Sequence, residues 1–408
     1  MRILLWHGYL LGGTGSNVYT RALAREWSRA GHEVLVVCQE RHPEQYDLGG
    51  AQVVVPELPD GLLPVFVLDA YEGLTARLLQ DFSRGERARY VDANAAALRE
   101  LEPADLVFAN HVLMGGVVAA ATGLPYRVKA HGSELEYSIR GRQELEEWAR
   151  AALHRAQAVY VGSEHIREVV AEVVGVVEAP VVEVPPGVDV ELWRPAPRAE
   201  ALAALLDEAR RDPPNPGNLN ERLPDEGNAG RLEAFLAGDG PTVVYFGKLI
   251  ENKGVHLLLE ALKGIEARAV IVGFGDYRAE LERLAGERTL FTGPLEHRHL
   301  VHLLALADAA VVPSIFPEAF GMVAAEAAAA GCPPLVARHS GLAEVAAGVA
   351  AEYPEELRQL VAFTSGDVAD LRAKLAELLT FSGRLREPAR AAVVKHWSWP
   401  AVAARLLA

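Results

Sequence analysis

The stretch Ala307–Val336, ADAAVVPSIFPEAFGMVAAEAAAAGCPPLV, decides how the rest of the chain is read. Its apolar opening ends at Pro313 and Ser314, an alanine-rich run begins near Phe320 and stops at Gly331, and a second apolar segment, PPLVA, follows. That order is strand, polar loop, helix, strand. It places polar side chains at the carboxyl end of a parallel sheet, where open α/β folds bind their ligands. Two of those side chains are carboxylates. Glu318 precedes the helical run and Glu326 lies inside it, eight residues on. That separation is about two helical turns, so the pair is expected along one helix face, gripping a polyhydroxylated ligand from one side. A lone pair of this kind is more often solvated surface, and its setting is what gives it weight.

Outward from this stretch the same alternation repeats. Upstream lie TVVYFGKL and ARAVIVGFG, which with ADAAVVPS and PPLVAR form one series of short buried strands separated by helical segments. A second series fills the first part of the chain: RILLWHGYL, a helix over SNVYTRALAREWSRAGH stopped at Gly31, then EVLVVCQE, ADLVFAN, YRVKAH, AQAVYVGS and APVVEVPPG. Repeated apolar strands with intervening helices predict open α/β sheets. Two series in 408 residues predict two domains, with a cleft between them as the default ligand site. Residues 211–230, RDPPNPGNLNERLPDEGNAG, are rich in Pro, Asn and Gly and read as an exposed excursion. The last segment, with Trp397 and Trp399, is expected to close one domain by packing back across the other.

Composition narrows the function. Hydrophobic residues make up 50% and charged residues 23%, an ordinary globular balance. A formal net charge of -15 argues against a nucleic-acid partner. Cys38 and Cys332 are the only cysteines, both in apolar runs, which points to a reducing, cytoplasmic compartment and away from a disulfide scaffold. The chain enters a strand at once after Met1 and Arg2, with no signal-peptide pattern, and no run reaches the length of a membrane span.

Three glycine-bearing turns carry the candidate chemistry. Gly12, Gly13 and Gly15 follow the first strand and precede a helix, where small residues let backbone N–H groups approach an anion; a plain tight turn is the alternative. Gly273 and Gly275 in VGFGD lack the third glycine of the dinucleotide fingerprint, and no acidic ribose ligand is placed for it, which weighs against a dehydrogenase. In FGKLIENKG, Lys248 and Lys253 stand at the carboxyl end of a strand, where two ammonium groups neutralise a diphosphate as it leaves. A solubilising surface pair is the plainer reading of those lysines. His131 closes YRVKAH beside Gly132 and Ser133, which raises it above the other twelve of 13 histidines as a cleft residue. There is neither an HExxH nor a GxSxG motif, so zinc-protease and serine-hydrolase readings have no support, and no metal site is expected.

In this order the motifs resemble the retaining nucleotide-sugar glycosyltransferases of family 4, which have the two-Rossmann-domain GT-B architecture. The resemblance covers nearly the whole chain: the Gly12–Gly13 turn, His131, VPPGVDVELWRP, FGKLIENKG, VGFGDYRAEL, ADAAVVPS, and Glu318 with Glu326. One position departs from the family, which commonly has arginine where Lys248 stands; lysine keeps the charge and loses the bidentate fork. The resemblance implies an α/β GT-B fold with two Rossmann-like domains facing a central cleft. It implies an acceptor domain over 1–190 completed by 387–408, and a donor domain over 191–386 that carries the 211–230 insertion. Lys248 and Lys253 would hold the diphosphate, Glu326 the ribose, and Glu318 the donor-sugar hydroxyls. The N–H groups of Ala319, Phe320 and Gly321 would add donors, Gly12 and Gly13 would approach the diphosphate, and His131 would support the donor sugar.

The activity so implied is metal-independent, retaining hexosyl transfer, without a cofactor, from a nucleotide diphosphate sugar to a hydroxyl acceptor. UDP-glucose and GDP-mannose lead as donors, followed by UDP-N-acetylglucosamine. The acceptor is expected to be a small sugar, polyol or glycoside, with Glu134, Tyr137 and the Thr14–Asn17 loop as candidate contacts. A peripheral membrane contact is the less favoured arrangement, because there is no clear basic amphipathic anchor. Oligomeric state is left open. Two other classes stay in view: a non-hydrolysing nucleotide-sugar epimerase of the same architecture, and a catalytically silent nucleotide-sugar binding protein.

Overall fold

A computed structural model describes residues 1–12, 15–66, 74–238 and 240–408. The chain forms two compact units, Met1–Gly187 with Trp399–Ala408, and Val188–Ser398.

The first unit is built on a seven-stranded sheet. Its strands are β1 (Arg2–Trp6), β2 (Glu33–Val37), β3 (Gln52–Val54), β6 (Leu106–Asn110), β7 (Tyr126–Lys129), β8 (Ala158–Val161) and β9 (Val181–Glu183), in the order 3-2-1-6-7-8-9. Every pairing is parallel. Two further strands, β4 (Leu62–Val65) and β5 (Thr75–Leu78), pair with each other alone. The continuous apolar runs follow from burial on both faces. Leu4 and Trp6 of β1 enter one core together with Val107 and Ala109 of β6, whereas Ile3 and Leu5 enter a second core with Phe108, Trp27 and Trp399. The two-residue period of a strand sorts neighbours into opposite layers.

The second layer is completed by the end of the chain. In the helix Trp399–Leu407, Trp399 meets Tyr19 edge-on with 5.5 Å between centroids, Trp27 Nε1 donates to the Ala403 carbonyl at 2.9 Å, and Tyr160 donates to that of Leu406 at 2.9 Å. The return to the first unit falls at Trp399 rather than at 387. Residues 387–397 belong to one helix, Val368–Trp397, that is held to the second unit: Arg386 donates to the Ala307 carbonyl at 2.6 Å, and Arg390 to those of Ala329 and Trp193 at 2.6 and 2.7 Å.

The second unit has a six-stranded parallel sheet: β10 (Thr242–Phe246), β11 (Arg268–Val272), β12 (Thr289–Phe291), β13 (Ala309–Val312), β14 (Pro334–Ala337) and β15 (Ala362–Phe363), in the order 12-11-10-13-14-15. This is the Rossmann order, with its reversal between β10 and β13. The turns after β10 and β11 pack backbone on backbone. A Cβ on Gly273 would stand 1.8 Å from the Gly247 carbonyl oxygen, and one on Gly275 would stand 2.3 Å from that of Leu249. The glycines of VGFGD are thus fixed by chain packing. The sequence-based strands all form; those it passes over are β3, β12 and β15, two or three residues long at sheet edges, and the four-residue strands β4 and β5, which pair outside the main sheet.

The excursion at 211–230 is exposed at its tip, where Leu219 is 86% accessible, but it is anchored at both ends. Asn215 is buried and donates to the carbonyls of Asn220 and Pro224, both at 3.1 Å. Asp225 is buried, takes Arg278 on both oxygens at 2.8 and 2.6 Å, and donates its N–H to Thr292 at 2.8 Å. Asp212 takes Arg298 at 2.6 Å. Among the described residues no helix is long and apolar enough to cross a membrane. Asp225→Ala would remove the buried partner of Arg278, which keeps Glu282 at 2.8 Å, and is expected to cost about 2 kcal/mol. Limited proteolysis should then cut within 213–224 faster than in the parent; an unchanged cleavage rate would refute the anchoring role.

Candidate functional site

In the second unit the polar groups gather where the sheet order reverses. β10 and β13 are neighbours, so the turn that carries Lys248 and Lys253 lies beside the loop that carries Glu318. The structure joins two of these side chains directly: Lys253 Nζ donates to Glu318 Oε1 at 2.5 Å. The ammonium and carboxylate are 30% and 22% exposed, so water still reaches both. Lys248, in the same turn as Lys253, is exposed, and its carbonyl accepts from the Tyr245 hydroxyl at 2.8 Å.

Glu318 and Glu326 do not share a helix face. The helix is Met322–Ala329, and Gly321 before it has φ +102, so Glu318 lies in the preceding loop. That loop is strapped from two sides. Ile315 N donates to the Asn252 carbonyl at 3.0 Å, Glu318 N to Ser340 Oγ at 2.9 Å, and Gly341 N to the Glu318 carbonyl at 3.0 Å. His339 Nε2 donates to the Ser314 carbonyl at 2.6 Å, and its Nδ1 lies 3.0 Å from the Ser340 hydroxyl oxygen. A Cβ on Gly341 would come within 2.5 Å of Phe320 Cα, so only glycine lets the strap close. Sequence reasoning passed over His339, Ser340 and Gly341. The signal was present as HSG one residue beyond the strand PLVA, the same strand-end position that singled out the other turns.

The N–H groups of Ala319, Phe320 and Gly321 make no hydrogen bond among the described residues. Phe320 itself is buried and meets Trp397 edge-on at 5.6 Å. Glu326, inside the helix, has no donor among the described residues, and its surroundings push its carboxyl up to about 8 by desolvation. An unpaired carboxyl held in such a place keeps its hydrogen-bonding capacity free.

The first unit has its own cluster at its reversal, between β1 and β6. His7 follows β1, His111 follows β6 and His131 follows β7. The His111 ring lies 4.5 Å from that of His131, 5.0 Å from Phe66, 5.4 Å from Tyr9 and 6.2 Å from His7. His131 Nε2 meets Asn110 Oδ1 at 3.1 Å, and Asn110 in turn donates to Thr20 at 3.1 Å. Burial, with Lys129 and His7 adding to it, lowers His131 to about 3; burial lowers His7 to about 4. Both are neutral imidazoles at neutral pH, suited to hydrogen bonding.

Two expected acceptor contacts are occupied otherwise. Glu134 is fully buried, and its carboxylate accepts N–H groups of the main chain, so it faces no acceptor. Asn17 is part of the helix Gly15–Arg29, buried, with Oδ1 on His7 at 2.8 Å and Nδ2 on the Gly12 carbonyl. Tyr137 is 60% exposed. Gly12 is placed with Tyr46 against its α-carbon, whereas Gly13 and Thr14 lie outside the described residues. Among the described residues no group of three His, Cys, Asp or Glu could hold a metal ion.

These are two Rossmann-like units, each with a polar cluster at the reversal of its strand order, as in nucleotide-binding α/β proteins. The chain belongs to glycosyltransferase family 4, of GT-B fold: residues 13–192 match Glycosyltransferase Family 4 and residues 232–392 match Glycosyl transferases group 1. It is 34% identical over 173 residues to the D-inositol 3-phosphate glycosyltransferase of Xylanimonas cellulosilytica, covering 40% of this chain and 36% of that protein. It is 28% identical over 241 residues to a GDP-mannose-dependent phosphatidylinositol monomannoside mannosyltransferase of Mycobacterium tuberculosis, covering 54% and 53%. The chain spans about a third of the length of the first curated relatives it matches. Among solved structures, HepE from Anabaena in complex with UDP superposes with a TM-score of 0.70 at 18% identity, covering 100% of this chain and 98% of that one. Sucrose-phosphate synthase from Thermosynechococcus elongatus gives 0.65 at 21%, covering 99% and 97%.

Glu326 makes a pH prediction. Its pKa rises on folding from 4.5 to about 8. Between those values the folded chain holds a proton that the unfolded chain has released, so stability from this group is present below 4.5 and is lost as pH rises to about 8. The melting temperature of the parent should therefore fall relative to that of Glu326→Gln across this range. Parallel curves for the two proteins would show that the carboxyl is not raised.

Proposed function

We propose that the protein is a hexosyltransferase that uses a nucleotide diphosphate sugar, with UDP-glucose or GDP-mannose as donor and a small sugar, polyol or glycoside hydroxyl as acceptor. The observation that carries this reading is the Lys253–Glu318 pair at the reversal between β10 and β13, with Lys248 exposed in the same turn as Lys253. Lys248 and Lys253 bind the diphosphate. Glu318, freed from Lys253, takes donor-sugar hydroxyls, Glu326 takes the ribose hydroxyls, and the free N–H groups at Ala319, Phe320 and Gly321 add oriented donors. Gly12, Gly13 and His131 keep the donor-side roles that the family resemblance assigns them. Relatives named for GDP-mannose and a structural neighbour solved with UDP support the donor class.

The reaction breaks the bond between the anomeric carbon and the β-phosphate oxygen and forms a bond from that carbon to the acceptor oxygen on the same face. The acceptor proton passes to the departing phosphate oxygen. As the bond weakens, the sugar becomes oxocarbenium-like and the phosphate gains charge, which the lysines offset more strongly than they did in the ground state. The proposed chemistry needs neither a metal nor a protein nucleophile. The free, buried cysteines Cys38 and Cys332 support placing it in the cytoplasm.

The direct test is an intact-mass screen of the purified protein with UDP- and GDP-linked sugars against pooled sugars, sugar phosphates, glycosides and polyols. New masses with nucleotide release are expected, and silence with no donor binding would sink the assignment. In the active pairing, Lys253→Ala should lower turnover about a hundredfold or more while the yield of folded protein stays the same. Unaltered turnover, or a loss that only tracks soluble protein, would remove Lys253 from the chemistry.

A further inference from the structure

The first unit holds a buried carboxylate that transfer does not use. On the oxygens of Glu134 converge the N–H groups of Val112 at 2.7 and 2.8 Å, Leu113 at 3.3 Å and His131 at 3.4 Å. These donors come from two separate turns, one after β6 and one after β7. Burial pushes the Glu134 carboxyl up, and the N–H donors on its oxygens oppose that rise. His111 stands in the first of these turns at φ +69, a conformation that costs a β-carbon-bearing residue about 1–3 kcal/mol and persists only when its surroundings hold it. Its Nδ1 is 3.9 Å from Glu134 Oε1, beyond hydrogen-bond length. Neither of its ring nitrogens has a hydrogen-bond partner among the described residues, although the ring is 3% exposed.

We propose that Glu134 is a positioning residue: its carboxylate ties the turn after β6 to the turn after β7 and so sets how the His111 and His131 rings are presented. N–H groups point at both oxygens and leave no place for a proton, so the ionised carboxylate fits this pocket, with acceptor capacity for every N–H and no donor of its own. Glutamine would turn an NH2 group against those donors and push the turns apart. The groups facing this assembly are His7, His111, His131 and Lys129. The kinetic consequence rests on the transferase reading; the ring geometry does not.

The test uses the full chain with Glu134→Gln, Glu134→Asp and, as control, Glu136→Gln, an exposed carboxylate paired with Arg140. Imidazole resonances of 15N-labelled histidine are recorded beside steady-state kinetics. In E134Q the His111 and His131 resonances should shift and kcat should fall about a hundredfold, with UDP or GDP affinity unchanged. E134D keeps both oxygens and should recover part of the rate, whereas E136Q should match the parent in both readouts. Unmoved resonances in E134Q would overturn the proposal whether or not the protein transfers sugar. Moved resonances with an unaltered kcat would reduce Glu134 to a structural tie and overturn it equally. If E134Q does not fold, E134D decides: parent-like resonances and rate would refute the role, and partial shifts with a partial loss would support it.

Discussion

Both main sheets are entirely parallel and covered on both faces, and that constraint governs where chemistry can sit. A strand buried in this way penalises an unpaired polar side chain, because each forfeits its hydrogen bonds to water. Polar groups are therefore driven to the strand ends, and at the carboxyl ends of neighbouring strands they meet. The lysine turn after β10 meets the glutamate loop after β13, and the histidines after β1, β6 and β7 meet one another, for the same reason. The glycines at these ends matter because two turns must pass at backbone distance, as Gly273 and Gly341 do.

The two clusters differ in electrostatic state. In the second unit the charges are partly hydrated, and a pair with this exposure contributes at most about 1 kcal/mol. On the proposed reading, Lys253 leaves Glu318 for a diphosphate at little cost, since two negative phosphates offer it more than one carboxylate does. The histidine cluster is the reverse case. Burial keeps its imidazoles neutral, and its one carboxylate is tied up by main-chain donors, so it offers fixed hydrogen-bonding groups with little net charge. A charged, exchangeable set in one unit and a neutral, rigid set in the other are different tools built on one sheet plan.

The long strands of both main sheets, their order of appearance, the lysine turn and the carboxylate loop were legible in the sequence, because period and punctuation are local properties. Lys253 and Glu318 were each legible as candidates, but their contact was not, since it joins positions 65 residues apart through a strand order that no local pattern encodes. Glu134 shows the limit from the other side. A glutamate after His131 in a glycine-containing turn reads as a surface contact, and only the approach of the turn after β6 converts it into a buried acceptor for Val112 and Leu113. The excursion at 211–230 likewise reads as loose from its composition, and its anchors, Asp225 on Arg278 and Asp212 on Arg298, are contacts made at long range.

The sequence by itself determined two series of buried strands, the turns that end them, and the residue types available there. Hydrophobic periodicity and backbone sterics act over a few residues and need no knowledge of the fold. The tertiary structure decided which turns became neighbours, which carboxylate was paired, buried or left open, and where the chain end returned. Those outcomes depend on sheet order and on desolvation by residues distant in the chain, and both arise only when the strands have assembled.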